Sequence, residues 1–306
     1  MTSRKIVATA APPLFVFLWS TGFIGAKYGL PYAEPLTFLT VRMAFVVVLM
    51  ALIVAVSHVQ WPTRAEVLHS VVTGSLVHGL YLGGVFIAIS QGVPAGISAL
   101  IPGLQPILAS TIANRWLGER VVPLQWFGLA LGLVGVVLVL HDRTILGAGS
   151  ILGWIASFLS LIGIALGTLY QKRFGGRIDW RPGNLIQYIA ALVWFALGAF
   201  FSETMVVHWT GEFVFAVAWL ALMLSIGAVA LMYWLIRRSA ATGFASLFYL
   251  VPTVTALMAF ALFGERLDTL SVIGMVICAV GVVVVNRAGK LRPAAPDAAE
   301  SVTAES

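Results

Sequence analysis

The sequence is poor in charge. Asp, Glu, Lys and Arg supply 10% of its 306 residues, 60% are hydrophobic, and the mean hydropathy is +0.99. Soluble domains carry about 25% charged residues. A water-exposed globule is therefore excluded, and lipid must solvate most of the chain. Cysteine is nearly absent. Cys278 stands alone in an apolar run, which rules out a disulfide framework within the chain and leaves a packing role. The acidic residues number twelve, and each falls in a loop, at an expected helix end or in the C-terminal tail. The usual intramembrane proton relay, a carboxylate in mid-bilayer, is thus missing. HExxH, GxxxxGK[ST] and a Gly-Asp intramembrane protease pair are absent too, so neither an enzyme nor a built-in ATPase is expected, and no cofactor or metal is implied.

What is present is a succession of apolar runs. About 20 residues cross a bilayer as a helix. Ten such segments can be drawn: 8–26, 36–57, 67–90, 94–115, 121–140, 150–171, 183–202, 213–236, 240–262 and 268–286. Polar or Pro/Gly clusters such as LPYAEP (30–35) and RFGGRIDWRPGN (173–184) separate them. The first run follows Arg4 and Lys5, as in a signal peptide. It holds Pro12, Pro13 and Trp19, lacks a clean small-residue cleavage site, and reads better as a first membrane helix. Residues 291–306 are rich in Ala, Pro and charge and are expected to form a disordered cytoplasmic tail. With a cytoplasmic N-terminus, 14 of the 18 Lys and Arg fall in inside segments, while Lys27, Arg143 and Arg266 fall outside and Arg42 lies within a helix. This positive-inside bias accounts for the pI near 9.8 without a nucleic-acid partner. It predicts both termini on the cytoplasmic side of the cell (inner) membrane.

The chain also repeats itself. LGER (117–120) returns as FGER (263–266). Residues 98–140 slide onto 244–286 without a gap, with 14 of 43 positions identical, among them Pro106/Pro252, Gly118/Gly264, Glu119/Glu265, Gly128/Gly274 and Gly135/Gly281. Each half holds five segments, an odd number, so the second must enter the membrane from the opposite side. The expected fold is an all-α membrane protein of ten transmembrane helices in two inverted five-helix repeats, residues 1–146 and 147–290. Inverted repeats of this kind place a binding site near the midplane and exchange roles between inward-open and outward-open states.

The run FIAISQGVPAGISALIPGLQPILASTIANRWLGERVVPLQWFGLALGLVGVVLVL (86–140) resembles the drug/metabolite transporter superfamily in its ten-helix EamA-type branch. The similarity rests on Ala99, Pro106, Gly118, Glu119, Gly128 and Gly135, and on Pro252, Gly264, Glu265, Gly274 and Gly281. LWSTGFIGAKYGL (18–30) and VRMAF (41–45) look like the first- and second-helix signatures. The resemblance covers about residues 8–286. It implies a secondary transporter, and members carry amino acids, sugars, nucleotide-sugars, drugs or other metabolites. Small multidrug relatives rely on a first-helix Glu, which this chain lacks.

Several residues are candidates for a substrate pathway. Arg42, about two turns into the second segment, could bind a carboxylate or phosphate with its planar fork, snorkel to headgroups, or pin a neighbouring helix. Its counterpart in the second half is Tyr188. His78 and Tyr81, mid-way along the third segment, could wall the pathway or bond another helix. Trp19 and Ser20 form a polar-aromatic patch on the first. Pro106 and Pro252, with Gln105, interrupt the fourth and ninth segments at matching sites, as a pathway bend or a static kink. Tyr233, Tyr249 and Thr253 add polar groups on the eighth and ninth. Gly118, Glu119, Gly264 and Glu265 read as structural hairpins. The glycine ladders of the fifth and tenth segments read as scaffold or as a homodimer surface.

From the residues and the resemblance together, the expected function is alternating-access export of amino acids or related small polar metabolites. The partners are then a small-molecule substrate and the lipid bilayer. An exporter of lipophilic drugs or dyes, and a non-transporting membrane scaffold or sensor, are the competing readings.

Overall fold

The computed structural model describes residues 3–93, 95–139, 149–263 and 269–290. Within them the protein is all helix, with one isolated bridge, Ala33 to Val207, in place of any strand. The helices are α1 (Ser3–Gly29), α2 (Pro35–Ala55), α3 (Arg64–Ser90), α4 (Ala95–Gly103), α5 (Gln105–Trp116), α6 (Pro123–Val139), α7 (Ile151–Phe174), α8 (Trp180–Ser202), α9 (Gly211–Arg238), α10 (Ala241–Leu262) and α11 (Thr269–Lys290). Eight of them, α1–α3 and α7–α11, are long and apolar enough to cross a membrane. The fourth expected segment is split at Leu104 into α4 and α5, and the fifth, α6, is a shorter apolar helix. The protein is thus a multi-pass membrane protein.

Local sequence sets the helix starts. Thr63 and Glu66 form a capping box at α3, the Thr63 amide donating to the Glu66 carboxylate at 2.8 Å. Ser150 and Thr210 accept from the Gly153 and Phe213 amides to cap α7 and α9. Pro35 at the first turn of α2 lacks only an N–H that would go unused there. Gly118, at φ +66°, ends the α5 hairpin in the left-handed conformation that glycine adopts freely, and the Glu119 amide turns back to the Ala113 carbonyl.

Glycine also permits close helix packing. α6 and α11 cross antiparallel with their glycines face to face. A Cβ built on Gly135 would lie 2.6 Å from the Cys278 amide nitrogen, and one on Gly281 2.7 Å from the Gly132 nitrogen. The ladders read from the sequence as scaffold or dimer surface are therefore consumed inside one chain. α2 packs on α8, α1 on α9 and α10, and α7 on α3, α4 and α5.

Two carboxylates join the loop after α1 to the loop after α8. Glu203 accepts from the Leu36 and Thr37 amides at 2.8 and 2.6 Å, capping α2 from across the bundle. Glu34 in turn accepts from the Thr204 amide, and these bonds hold its carboxyl below the usual carboxylate range. Removing the first of these caps, in Glu203→Ala, should cost about 1–2 kcal/mol, as lost caps do. A melting temperature in detergent equal to that of the unaltered protein would refute the clasp. On the opposite face Glu119 accepts from the Ala241 amide at 2.9 Å and pairs with Lys172 at 3.4 Å, so this hairpin holds the start of α10. Gly264 and Glu265 lie outside the described residues.

Candidate functional site

Four helices enclose a cavity in the middle of the bundle. α1 contributes Trp19, Gly22 and Phe23, α2 contributes Arg42, α3 contributes His78, Tyr81 and Phe86 among others, and α9 contributes Leu224 and Val229. Its volume is about 30 Å³, room for a water or two. Trp19, Arg42, His78 and Tyr81 are each at most 6% exposed.

Hydrogen bonds close it. Trp19 Nε1 donates to the Tyr81 hydroxyl at 3.1 Å, and the two rings stack with centroids 6.0 Å apart. Arg42 donates to Ser225 Oγ on α9 from Nη2 at 2.9 Å and from Nε at 3.3 Å. Tyr188 of α8 donates its hydroxyl to the carbonyl of the same Ser225. The counterpart positions Arg42 and Tyr188 thus converge on one residue. The His78 ring lies against Tyr188, centroids 4.6 Å apart. Two buried atoms here have no hydrogen-bond partner among the described residues: Arg42 Nη1 and His78 Nε2. A guanidinium held in this way has lost water and gained no carboxylate, at a cost of several kcal/mol in general. An anion entering the cavity would offset that cost.

His78, Tyr81 and Ser225 sit on unusual backbone. Ser75–Tyr81 of α3 and Leu220–Ala228 of α9 are π-helical, and the sequence repeat lays the first inside the second. Such turns interrupt the regular ladder and occur at functional sites. α7 packs directly against the α3 turn, since a Cβ on Gly163 would lie 2.7 Å from the Tyr81 nitrogen.

The other sequence candidates fall elsewhere. Ser20 ties α1 to α10, donating to the Val251 carbonyl at 3.2 Å, next to Pro252. Gln105 donates to Thr168 on α7 at 3.1 Å, and Pro106 opens α5 just after the break. A Cβ on Gly103 would lie 3.8 Å from Pro252 Cγ, so the two interrupted helices meet at their breaks. Tyr233 donates to Gln187 Oε1, in a separate polar chain that leads on to Gln171. The Tyr249 ring lies over Gly132 on the α6–α11 scaffold, not at the cavity, and Thr253 is buried on the following turn. α7 lends no residue to the cavity lining and supports it from behind. Ser225 was missed. A lone serine in an apolar run gives little sequence signal, and only its place opposite Arg42 makes it notable.

Fold and site define a polytopic helical membrane protein with a small, polar-centred cavity lined by buried side chains. The EamA-like transporter family profile matches residues 13–141 and again 151–287. The chain belongs to that family. The uncharacterized transporter YvbV of Bacillus subtilis is 25% identical over 288 residues, 92% of each chain. The uncharacterized inner membrane transporter YedA of Escherichia coli is 26% identical over 280 residues, 91% of this chain and 90% of its own. An Escherichia coli protein named as a probable amino-acid metabolite efflux pump is 25% identical, covering 88% of this chain and 91% of its own. A solved crystal structure superposes with a TM-score of 0.74 over 92% of this chain and 97% of that one. At 20% identity it speaks for the fold alone.

Proposed function

We propose that the protein exports amino acids or related small polar metabolites across the inner membrane by alternating access, with both termini cytoplasmic. The observation that carries this reading is the buried cavity in which Arg42 and His78 keep unused hydrogen-bonding atoms. A relative named for efflux of amino-acid metabolites supports the cargo class.

Ten crossings in two inverted repeats, 1–146 and 147–290, fit the packing. α6 and α11 occupy matching sequence positions, yet they run antiparallel and touch through matching residues, Cys278 Sγ lying 3.6 Å from the Gly132 carbonyl. α1 packs on α9 and α10 as α7 packs on α3, α4 and α5. In this mechanism α3 and α9 bend at their π-helical turns, the α4–α5 pair at the break before Pro106, α10 at Pro252, and the cavity opens to one face at a time. Trp19, Arg42, His78 and Tyr81 meet the substrate. Ser20, Gln105 and Tyr233 hold neighbouring helices. A homodimer through α6 and α11 would have to use their outward apolar faces.

Purified protein in liposomes loaded with a mixed pool of amino acids and small metabolites provides the test. Selective loss of one class by mass spectrometry, little altered by an imposed pH gradient, is the expected result, because the described acidic residues all sit at helix ends or in loops. No loss of any compound would favour a drug exporter or a non-transporting scaffold.

A further inference from the structure

The metabolite reading can be narrowed by asking what charge the cavity accepts, an inference that rests on the cavity being the transport site. Of its lining residues, Arg42 carries a permanent positive charge and none is acidic. Arg42 can only donate hydrogen bonds. Its Nη1 is buried without a partner, and so is His78 Nε2 on the facing helix. Arg42 Nη1 can donate to a carboxylate oxygen, and His78 Nε2 can do so in the tautomer that carries its proton there. The rest of the wall is apolar: Phe23, Val77, Leu82, Val85, Phe86 and Leu224 would face a hydrocarbon or aromatic body once the helices part to admit it.

An α-ammonium is received less well, since only His78 Nε2, in its unprotonated tautomer, could accept from it. It would enter a desolvated space already holding a guanidinium, and like charges there repel strongly. The described acidic residues, Glu34, Glu66, Glu119, Asp179, Glu203 and Glu212, all lie at helix ends or in loops and supply no counter-charge. The Tyr81 hydroxyl already accepts from Trp19. Ring faces give an ammonium a small return beside the cost of stripping its water. We propose that the cavity selects monocarboxylates with an apolar body and no α-ammonium, such as 2-oxo or 2-hydroxy acids, over the amino acids of the same skeleton.

Phenylpyruvate and phenylalanine test this directly, because they differ at the α-carbon alone. Both are ionised at the carboxyl at pH 7.5, so leak through lipid is low. Efflux from protein-containing liposomes should be at least roughly 10-fold faster for phenylpyruvate, the scale set by an unpaired polar group in a desolvated site. Phenethylamine should not move above protein-free liposomes, and Arg42→Met should abolish the phenylpyruvate flux. Phenylalanine moving as fast as phenylpyruvate would overturn the charge selection and leave metabolite export standing. No protein-dependent movement of either, from a monodisperse and oriented preparation, would overturn the transport-site reading and the selection with it.

Discussion

Arg42→Met should lose at least roughly 100-fold in efflux of the transported compound while the protein folds as well as before, since removal of one member of a buried charged contact costs several kcal/mol of binding. The stability half of the result follows from burial. Arg42 is 2% exposed, and in this state Ser225 is its hydrogen-bond acceptor. Exchanging a buried, incompletely compensated ion for an apolar side chain of similar length is often neutral or stabilising. Ser225 can then turn its hydroxyl to its own helix, as Ser75 does by donating to the Val71 carbonyl at 2.9 Å. The melting temperature in detergent should therefore hold or rise as flux disappears. Arg42→Lys keeps the charge without the planar fork and should fall between the two. Undiminished flux in Arg42→Met would remove this residue from substrate binding. Lost flux with a collapsed melting temperature would make it a helix pin.

Gly135→Leu should abolish the folded protein. The new Cβ would meet the Cys278 backbone nitrogen at 2.6 Å and the Gly274 carbonyl at 2.7 Å. Neither atom is the end of a flexible side chain, so α6 and α11 would have to separate along their whole seam. Overpacking a core costs about 1–3 kcal/mol where side chains can yield, and more is expected where only backbone can. Membrane helices associate largely through such close packing, because lipid gives no hydrophobic drive to hold them. Gly227→Ala is the matched control. Its Cβ meets nothing nearer than 3.6 Å, so yield and melting temperature should be unchanged. A well-behaved, normally melting Gly135→Leu protein would show that the seam is not essential to the fold.

Mean hydropathy, apolar run length and the placement of Lys and Arg determined by themselves that the chain lives in a bilayer, because water cannot solvate such a surface. The spaced glycines of the fifth and tenth segments were equally legible as places of close approach, since a missing side chain has one main use inside a helix. Arg42 and His78 stood out because ionisable groups in lipid are costly wherever they sit.

Tertiary structure alone decided the partners. The glycines face one another within one chain, Arg42 meets Ser225 from a helix 183 positions away, and Tyr249 turns to the scaffold, not the cavity. The π-helical turns were also invisible, because they follow from packing and leave no periodicity of their own in a uniformly apolar run. Hydropathy records how much a residue avoids water. It carries no direction around the helix when nearly every face is apolar, so which side chains meet is set only when the helices pack.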